Sequence, residues 1–349
     1  TTQVAGSLDH SELETEQTQF SPLIMASLDR SGREFSWKAT FTDIHPDFHA
    51  RSGFITRAGD TQVDARMTVT RFGRPGAILE RTSITASTQN FFDHDAFWTG
   101  SGLFEHELQV MPSFTFRGGR TLSFMIRNGY FRFQPARYAN YTIVDEGGSQ
   151  SPFLTPEPLK NLKAFMVFPR MRLSNEFSLN GSFMARETAI FAEASRGFEL
   201  QARPEIQWSP TDRLELSVNH TFSRISRSSS EQPGMVPKEV YSTVHVTNIR
   251  AQYLFNRALM ARAIVQYDLD EREALKDPTS GKQLAIFGQP QGTRSTGEFQ
   301  GQFLLQYEPS PGTIFYIGFS RLMEGERSYR VSTMNPVEEG IFLKLSYLF

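Results

Sequence analysis

Seven histidines and a broad spread of carboxylates and guanidinium groups are the side chains of this 349-residue sequence that chemistry could use. There is no cysteine, which excludes thiolate catalysis and a disulfide framework. Three groupings invite a specific reading. His45-Pro46-Asp47-Phe48-His49 sets three metal-ligand types at every second position, where extended backbone would turn them to one side. Metal binding needs three or four convergent ligands with supporting hydrogen bonds, and this stretch offers three at most, so an ordinary polar loop is expected. Asp268, Asp270, Glu271 and Glu273 could offer oxygens to calcium at a loop base, but they lack a glycine-punctuated loop. Asn219-His220-Thr221 puts a histidine beside a hydroxyl, yet strand neighbours point to opposite faces, and no Gly-x-Ser-x-Gly elbow accompanies it. Arg117-Gly118-Gly119-Arg120 reads as a hairpin turn rather than a phosphate cradle. The expectation is no catalytic residue, no metal and no cofactor. The formal net charge of −2 gives no global reason to bind nucleic acid.

The charges carry more information in their periodicity. Glu34, Lys38, Arg66, Arg81, Glu105, Glu107, Arg127, Arg170, Arg172, Arg186, Glu199, Arg203, Glu205, Arg250 and Arg262 alternate with Phe, Leu, Ile, Val, Ala and Tyr. A period of two assigns them to one face of successive strands. Phe is present 31 times, Tyr ten times and Trp three times, but no apolar run reaches the roughly 18 residues of a membrane helix. Strands that alternate grease with charge fit a soluble sandwich or a barrel whose charged face surrounds water.

Connection lengths separate the two. Asp29-Arg30-Ser31-Gly32, Phe72–Gly76, Arg117–Arg120, Ser174-Asn175, Ser209–Asp212, Asn256-Arg257 and Pro309–Gly312 are tight turns. Between them come longer links, among them 43–60, 90–100, 134–158, 224–238, 269–296 and 323–339. Counting back from Phe349, long and short links alternate along about sixteen strands, as in outer-membrane barrels with long external loops and short periplasmic turns. The N-terminus has neither a basic region nor an apolar core, so an export signal is expected to have been removed, or the chain to be a fragment.

The stretch Gly340–Phe349 places Ile341, Leu343, Leu345, Tyr347 and Phe349 on one face and ends on an aromatic residue. That ending resembles the closing strand of bacterial outer-membrane β-barrels, where Tyr347 and Phe349 would be an assembly signal read by the barrel-assembly machinery. Phe41–Arg57, with Asp47-Phe48 and Gly53-Phe54-Ile55-Thr56-Arg57, resembles an uncharacterised bacterial outer-membrane β-barrel family. So do Gln3-Val4-Ala5-Gly6 and Arg250-x-x-Tyr253-x-Phe255. Members of that family usually carry a family 9-like carbohydrate-binding module before the barrel. The resemblance implies that this is the C-terminal barrel portion of a longer chain, and it implies a sugar preference.

The sequence thus predicts an all-β fold: a transmembrane antiparallel up-and-down β-barrel of about 16 strands, one domain over 1–349, in the bacterial outer membrane. Arg66, Arg81, Glu105, Glu107, Arg127, Arg170, Arg172, Arg186, Arg203, Glu205, Arg250 and Arg262 would line the pore. Arginines predominate from Phe165 to Tyr267 while Glu105 and Glu107 lie elsewhere, an arrangement that would set a transverse field. The function expected is a passive channel for small polar or oligosaccharide solutes; the alternative is a membrane anchor or scaffold. Its partners would be outer-membrane lipid, lipopolysaccharide and the assembly machinery. Other envelope proteins would meet an aromatic loop surface of Phe91, Phe92, Phe97, Trp98, Tyr138, Tyr141 and Phe153.

Overall fold

The computed structural model describes residues 2–10, 18–49, 58–228, 239–310, 312–325 and 333–346, with residues 2–10, 18 and 19 described by their backbone. The strands, in chain order, begin with β1 (Thr2–His10), β2 (Thr18–Arg30), β3 (Phe35–Ile44), β4 (Asp60–Phe72) and β5 (Leu79–Asp93). A four-residue helix α1 (His94–Phe97) precedes β6 (Leu103–Phe116) and β7 (Arg120–Phe131). Next come the short β8 (Tyr141–Val144) and β9 (Gln150–Pro152), then β10 (Leu159–Arg172), β11 (Phe177–Ile190), β12 (Ser195–Thr211), β13 (Leu214–Arg227), β14 (Val240–Leu254) and β15 (Leu259–Arg272). The short β16 (Gln283–Ile286) and β17 (Gln289–Pro290) are followed by β18 (Arg294–Ser310), β19 (Thr313–Gly325) and β20 (Asn335–Ser346).

Sixteen of these strands form one sheet in the order β1-β2-β3-β4-β5-β6-β7-β10-β11-β12-β13-β14-β15-β18-β19-β20. Once the four short strands are set aside, this is sequence order, an antiparallel up-and-down meander. It is the β-barrel fold that the alternating sequence predicts. No helix among the described residues is long and apolar enough to cross a membrane.

Local chemistry explains the hairpins. Gly118 and Gly119 both have positive φ, 83° and 75°, in the β6–β7 turn, a conformation that costs L side chains strain. Asn256 Oδ1 accepts from the backbone N–H of Ala258 and Leu259, closing the β14–β15 turn. One connection departs from the expected long–short alternation. β11 and β12 are joined by only Phe191–Ala194, because Thr188, Ala189 and Ile190 prolong the strand and Ala194, at φ 49°, turns the chain back.

The chain forms two compact units. The first comprises Thr1–Phe116, Ser123–Tyr138 and Leu154–Phe165; the second comprises Arg117–Leu122, Ala139–Phe153 and Met166–Phe349. In both, buried apolar side chains gather at the loop-bearing strand ends. Phe104, Phe133, Leu159 and Leu162 do so in the first unit, and Ile190, Phe198, Leu269, Leu275 and Leu284 in the second. Except in β10, where Ala164 and Met166 are buried, the middles of the strands lack such a core. There the apolar residues are exposed: Met67, Val69, Ile84, Leu108, Val110 and Ile126 in the first unit, and Phe183, Leu200, Ile249, Val265, Phe303 and Ile317 in the second. Side chains this apolar left open along consecutive strands require a nonaqueous surrounding, and hydrocarbon is the one an up-and-down barrel meets.

Candidate functional site

The face opposite that apolar one is the candidate site. In the first unit β3, β4, β5 and β6 carry Lys38, Arg66, Ser87 and Gln109 in one cross-strand row, since Lys38 pairs with Arg66, Arg66 with Ser87, and Ser87 with Gln109. Two residues along each strand runs a second row, Thr40, Asp64, Gln89 and Glu107. Both rows line one concavity of about 350 Å³. Gln109 Nε2 donates to Ser87 Oγ at 2.8 Å, and Gln62 Nε2 donates to Asp64 Oδ2 at 2.7 Å. Arg127 on β7 donates to Glu107 at 3.2 Å, so that acid is matched by its neighbour strand. Arg81 shares this inward parity and donates to Thr115 Oγ1 at 3.4 Å. Glu105 is half-buried on the same face.

The second unit repeats the logic with more hydrogen bonds. Glu199, 3 % exposed, accepts from Arg186 Nε at 2.7 Å, Ser223 Oγ at 2.8 Å and Gln201 Nε2 at 3.2 Å. Glu205 accepts from Gln207 at 3.3 Å, and Arg250 donates to Gln252 Oε1 at 3.0 Å. Arg170, Arg172 and Arg203 are exposed, and among the described residues none has a carboxylate within ion-pair reach. Arg262 borders a second concavity that the sequence reading missed, lined by Ile264, Gln302, Leu304, Ser320 and Phe342. Phe342 lies over Gly318, its cross-strand partner, where an added Cβ would come within 2.2 Å of the ring. The missing side chain at Gly318 makes room for an aromatic platform beside Ile264 and Leu304, among the polar groups of Arg262, Gln302 and Ser320.

Placing Glu107 beside Arg127 and Glu199 beside Arg186 neutralises those charges locally, so each contributes little to the longer-range field that the sequence reading expects. Tyr347 and Phe349 lie outside the described residues.

The three sequence groupings resolve differently. His45–His49 is not extended: β3 ends at Ile44, and Asp47 N–H donates to His45 Nδ1 at 3.2 Å within a turn. Asp268 and Asp270 have the inward parity and Glu271 the outward one, so the carboxylates diverge. No group of three metal-ligand side chains converges among the described residues. His220 faces outward, with Nδ1 2.9 Å from Thr247 Oγ1 and its ring 5.7 Å from that of His245.

Two polar networks at the loop ends were not legible as motifs. Asp43, 3 % exposed, accepts from Thr61 Oγ1 at 2.5 Å and lies 2.8 Å from His94 Nδ1. This fastens α1 so that Phe97 packs on Phe41 and Phe92, leaving Trp98 exposed. A carboxylate on the apolar parity two residues after Phe41 was the available signal. In the second unit Glu193, 1 % exposed, accepts from Arg227 Nη2 at 2.5 Å, Arg227 Nε at 2.9 Å and the Lys276 backbone N–H at 2.8 Å. Glu239 continues the network to Lys276 Nζ at 2.7 Å, and that hydrogen bond holds its carboxyl below the ordinary glutamate range.

Glu193 thereby moors the 273–293 connection, whose β16 and β17 join β8 and β9 of the 132–158 connection in a second sheet of order β17-β16-β8-β9. Tyr141 pairs with Ile286, and Val144 with Gln283. Lys282 Nζ donates to Asp145 alongside, and that bond raises the lysine's pKa above its ordinary value. The tip is Phe287-Gly288, both with positive φ (49° and 76°), and the Phe287 side chain is exposed. The expected aromatic contact surface is therefore rearranged: Tyr138 and Phe153 are buried, Trp98 is exposed, and Phe287 and Leu154 add exposed apolar surface.

No protein-family profile and no curated protein matches the chain. Among solved structures, a bacterial polysaccharide outer membrane secretin aligns over 100 % of this chain and 97 % of its own, at 9 % identity and TM-score 0.37. The NanC porin aligns over 70 % and 94 %, at 11 % identity and TM-score 0.26. OmpT, an outer membrane protein of Vibrio cholerae, aligns over 97 % and 90 %, at 8 % identity and TM-score 0.29. Similarity at these levels carries no argument. The strand order and the two faces of the strands do, and they make this chain an outer-membrane β-barrel.

Proposed function

We propose that the chain is a passive channel for small polar or oligosaccharide solutes. The observation that supports this reading is the hydrated character of the inward face. At mid-strand it carries Lys38, Arg66, Gln89, Arg203 and Gln302, all exposed, where a plugged barrel would pack apolar side chains. Donors and acceptors in rows suit hydroxylated solutes, which exchange water contacts for wall contacts at little cost. Passage needs no convergent catalytic group.

A second reading, a membrane anchor or scaffold, draws on Trp98, Leu154 and Phe287, which are exposed in the connections. Purified protein in planar lipid bilayers separates the two. A steady open conductance is expected of the channel. Electrical silence, together with fixed envelope partners that co-purify, would replace it with the scaffold.

A further inference from the structure

We propose that the concave face of β3–β6 binds an acidic oligosaccharide, with Lys38 and Arg66 holding its carboxylate; this deepens the channel reading and rests on it. Lys38 and Arg66 are direct cross-strand neighbours. Like charges set opposite one another destabilise a sheet, so an unrelieved pair calls for an anion. Among the described residues no carboxylate lies within 4.0 Å of either cation: Asp29, the register neighbour of Lys38 on β2, does not, and Asp64 and Glu107 stand in the next row. Arg66 presents a planar fork of N–H donors, the geometry that grips a carboxylate through two parallel bonds.

The rest of the wall sets the kind of anion. The Ser87 hydroxyl, having accepted from Gln109, keeps its own hydrogen to donate. Lys38, Arg66, Ser87 and Gln109 thus form a donor row across four strands, about 14 Å long at ~4.8 Å per strand. Asp64 and Glu107, with Gln89 between them, form an acceptor row about 7 Å away along the strands. A bare inorganic anion would leave the acceptor row unused, and a neutral sugar would leave the two cations unmatched. A glycan bearing a carboxylate engages both, and the concavity of about 350 Å³ admits one or two sugar rings.

The test uses the complete chain in planar bilayers with digalacturonate, maltose and inorganic phosphate as probes. Digalacturonate is expected to block the open current at lower concentration than maltose or phosphate. Lys38→Gln with Arg66→Gln should raise its half-blocking concentration about tenfold, each protein being read against its own unblocked current. Equal block of the parent and the double variant overturns the site. So does block by maltose or by phosphate as strong as that by digalacturonate, the latter showing a simple anion site. Should no conductance appear, the channel reading fails by itself, and calorimetric titration of digalacturonate into micellar protein decides the site. Binding that the double variant loses supports it, and absent or unaltered binding overturns it.

Discussion

Replacing Ile249 by arginine tests the assignment of faces on which every functional statement depends. Ile249 is 44 % exposed and sits between Val218 and Val265 on the neighbouring strands. On the same face Tyr253 lies four residues toward the β14–β15 turn, and His245 four residues the other way. Four residues rise about 13 Å, or roughly 10 Å along the membrane normal after strand tilt, which puts Ile249 near the middle of a ~25 Å apolar band. A guanidinium there should cost about 2–4 kcal/mol. Asn248→Arg, one residue away on the inward face, gives up only a 3.4 Å hydrogen bond to Gln266 and stays in water, a cost under about 1 kcal/mol. Reversible urea unfolding in lipid vesicles, followed by tryptophan fluorescence, measures both. Equal losses, or a larger one for Asn248→Arg, would refute the membrane placement.

Glu193→Gln leaves Arg227 with only the more exposed Glu239, 3.4 Å away, as its charge partner and should cost about 1–3 kcal/mol, seen as faster hydrogen exchange across 273–293 while the strand middles stay protected. Because the hydrogen bond from Lys276 depresses the Glu239 pKa, that pair contributes stability fully above the unfolded glutamate pKa and loses it as pH falls through the lower folded value. A stability–pH profile should show this acid-side decline, and Lys276→Met should flatten it. Phe287→Asn relieves a left-handed backbone at a two-residue turn without surrendering buried area, so it should stabilise the small sheet by about 0.5–1 kcal/mol and slow exchange at Tyr141–Val144.

The strands were legible because one period of two runs through each of them. Pairing was not legible. Whether Glu107 meets Arg127, or Lys38 meets Arg66, depends on cross-strand register, which a single strand's pattern leaves open. Phe342 was visible as an aromatic at an inward position, but its purpose needed Gly318 opposite. The small sheet escaped notice because β8, β9, β16 and β17 span two to four residues each, too short for any period to show. Glu193 gave no signal either, since its partners Arg227 and Lys276 lie far along the chain.

The small sheet sets an order of events. Tyr141 and Ile286 are neighbours in it, yet β10 through β15 intervene between them in the chain. Neither short hairpin has anything to pair with until those six strands have been threaded through the bilayer, because closing so large a loop earlier gains no contact to offset its entropy. The pairing of Tyr141 with Ile286 therefore comes late in assembly, and a chain that stalls midway through insertion leaves the Asp145 and Lys282 arms apart, open to proteases at the cell surface.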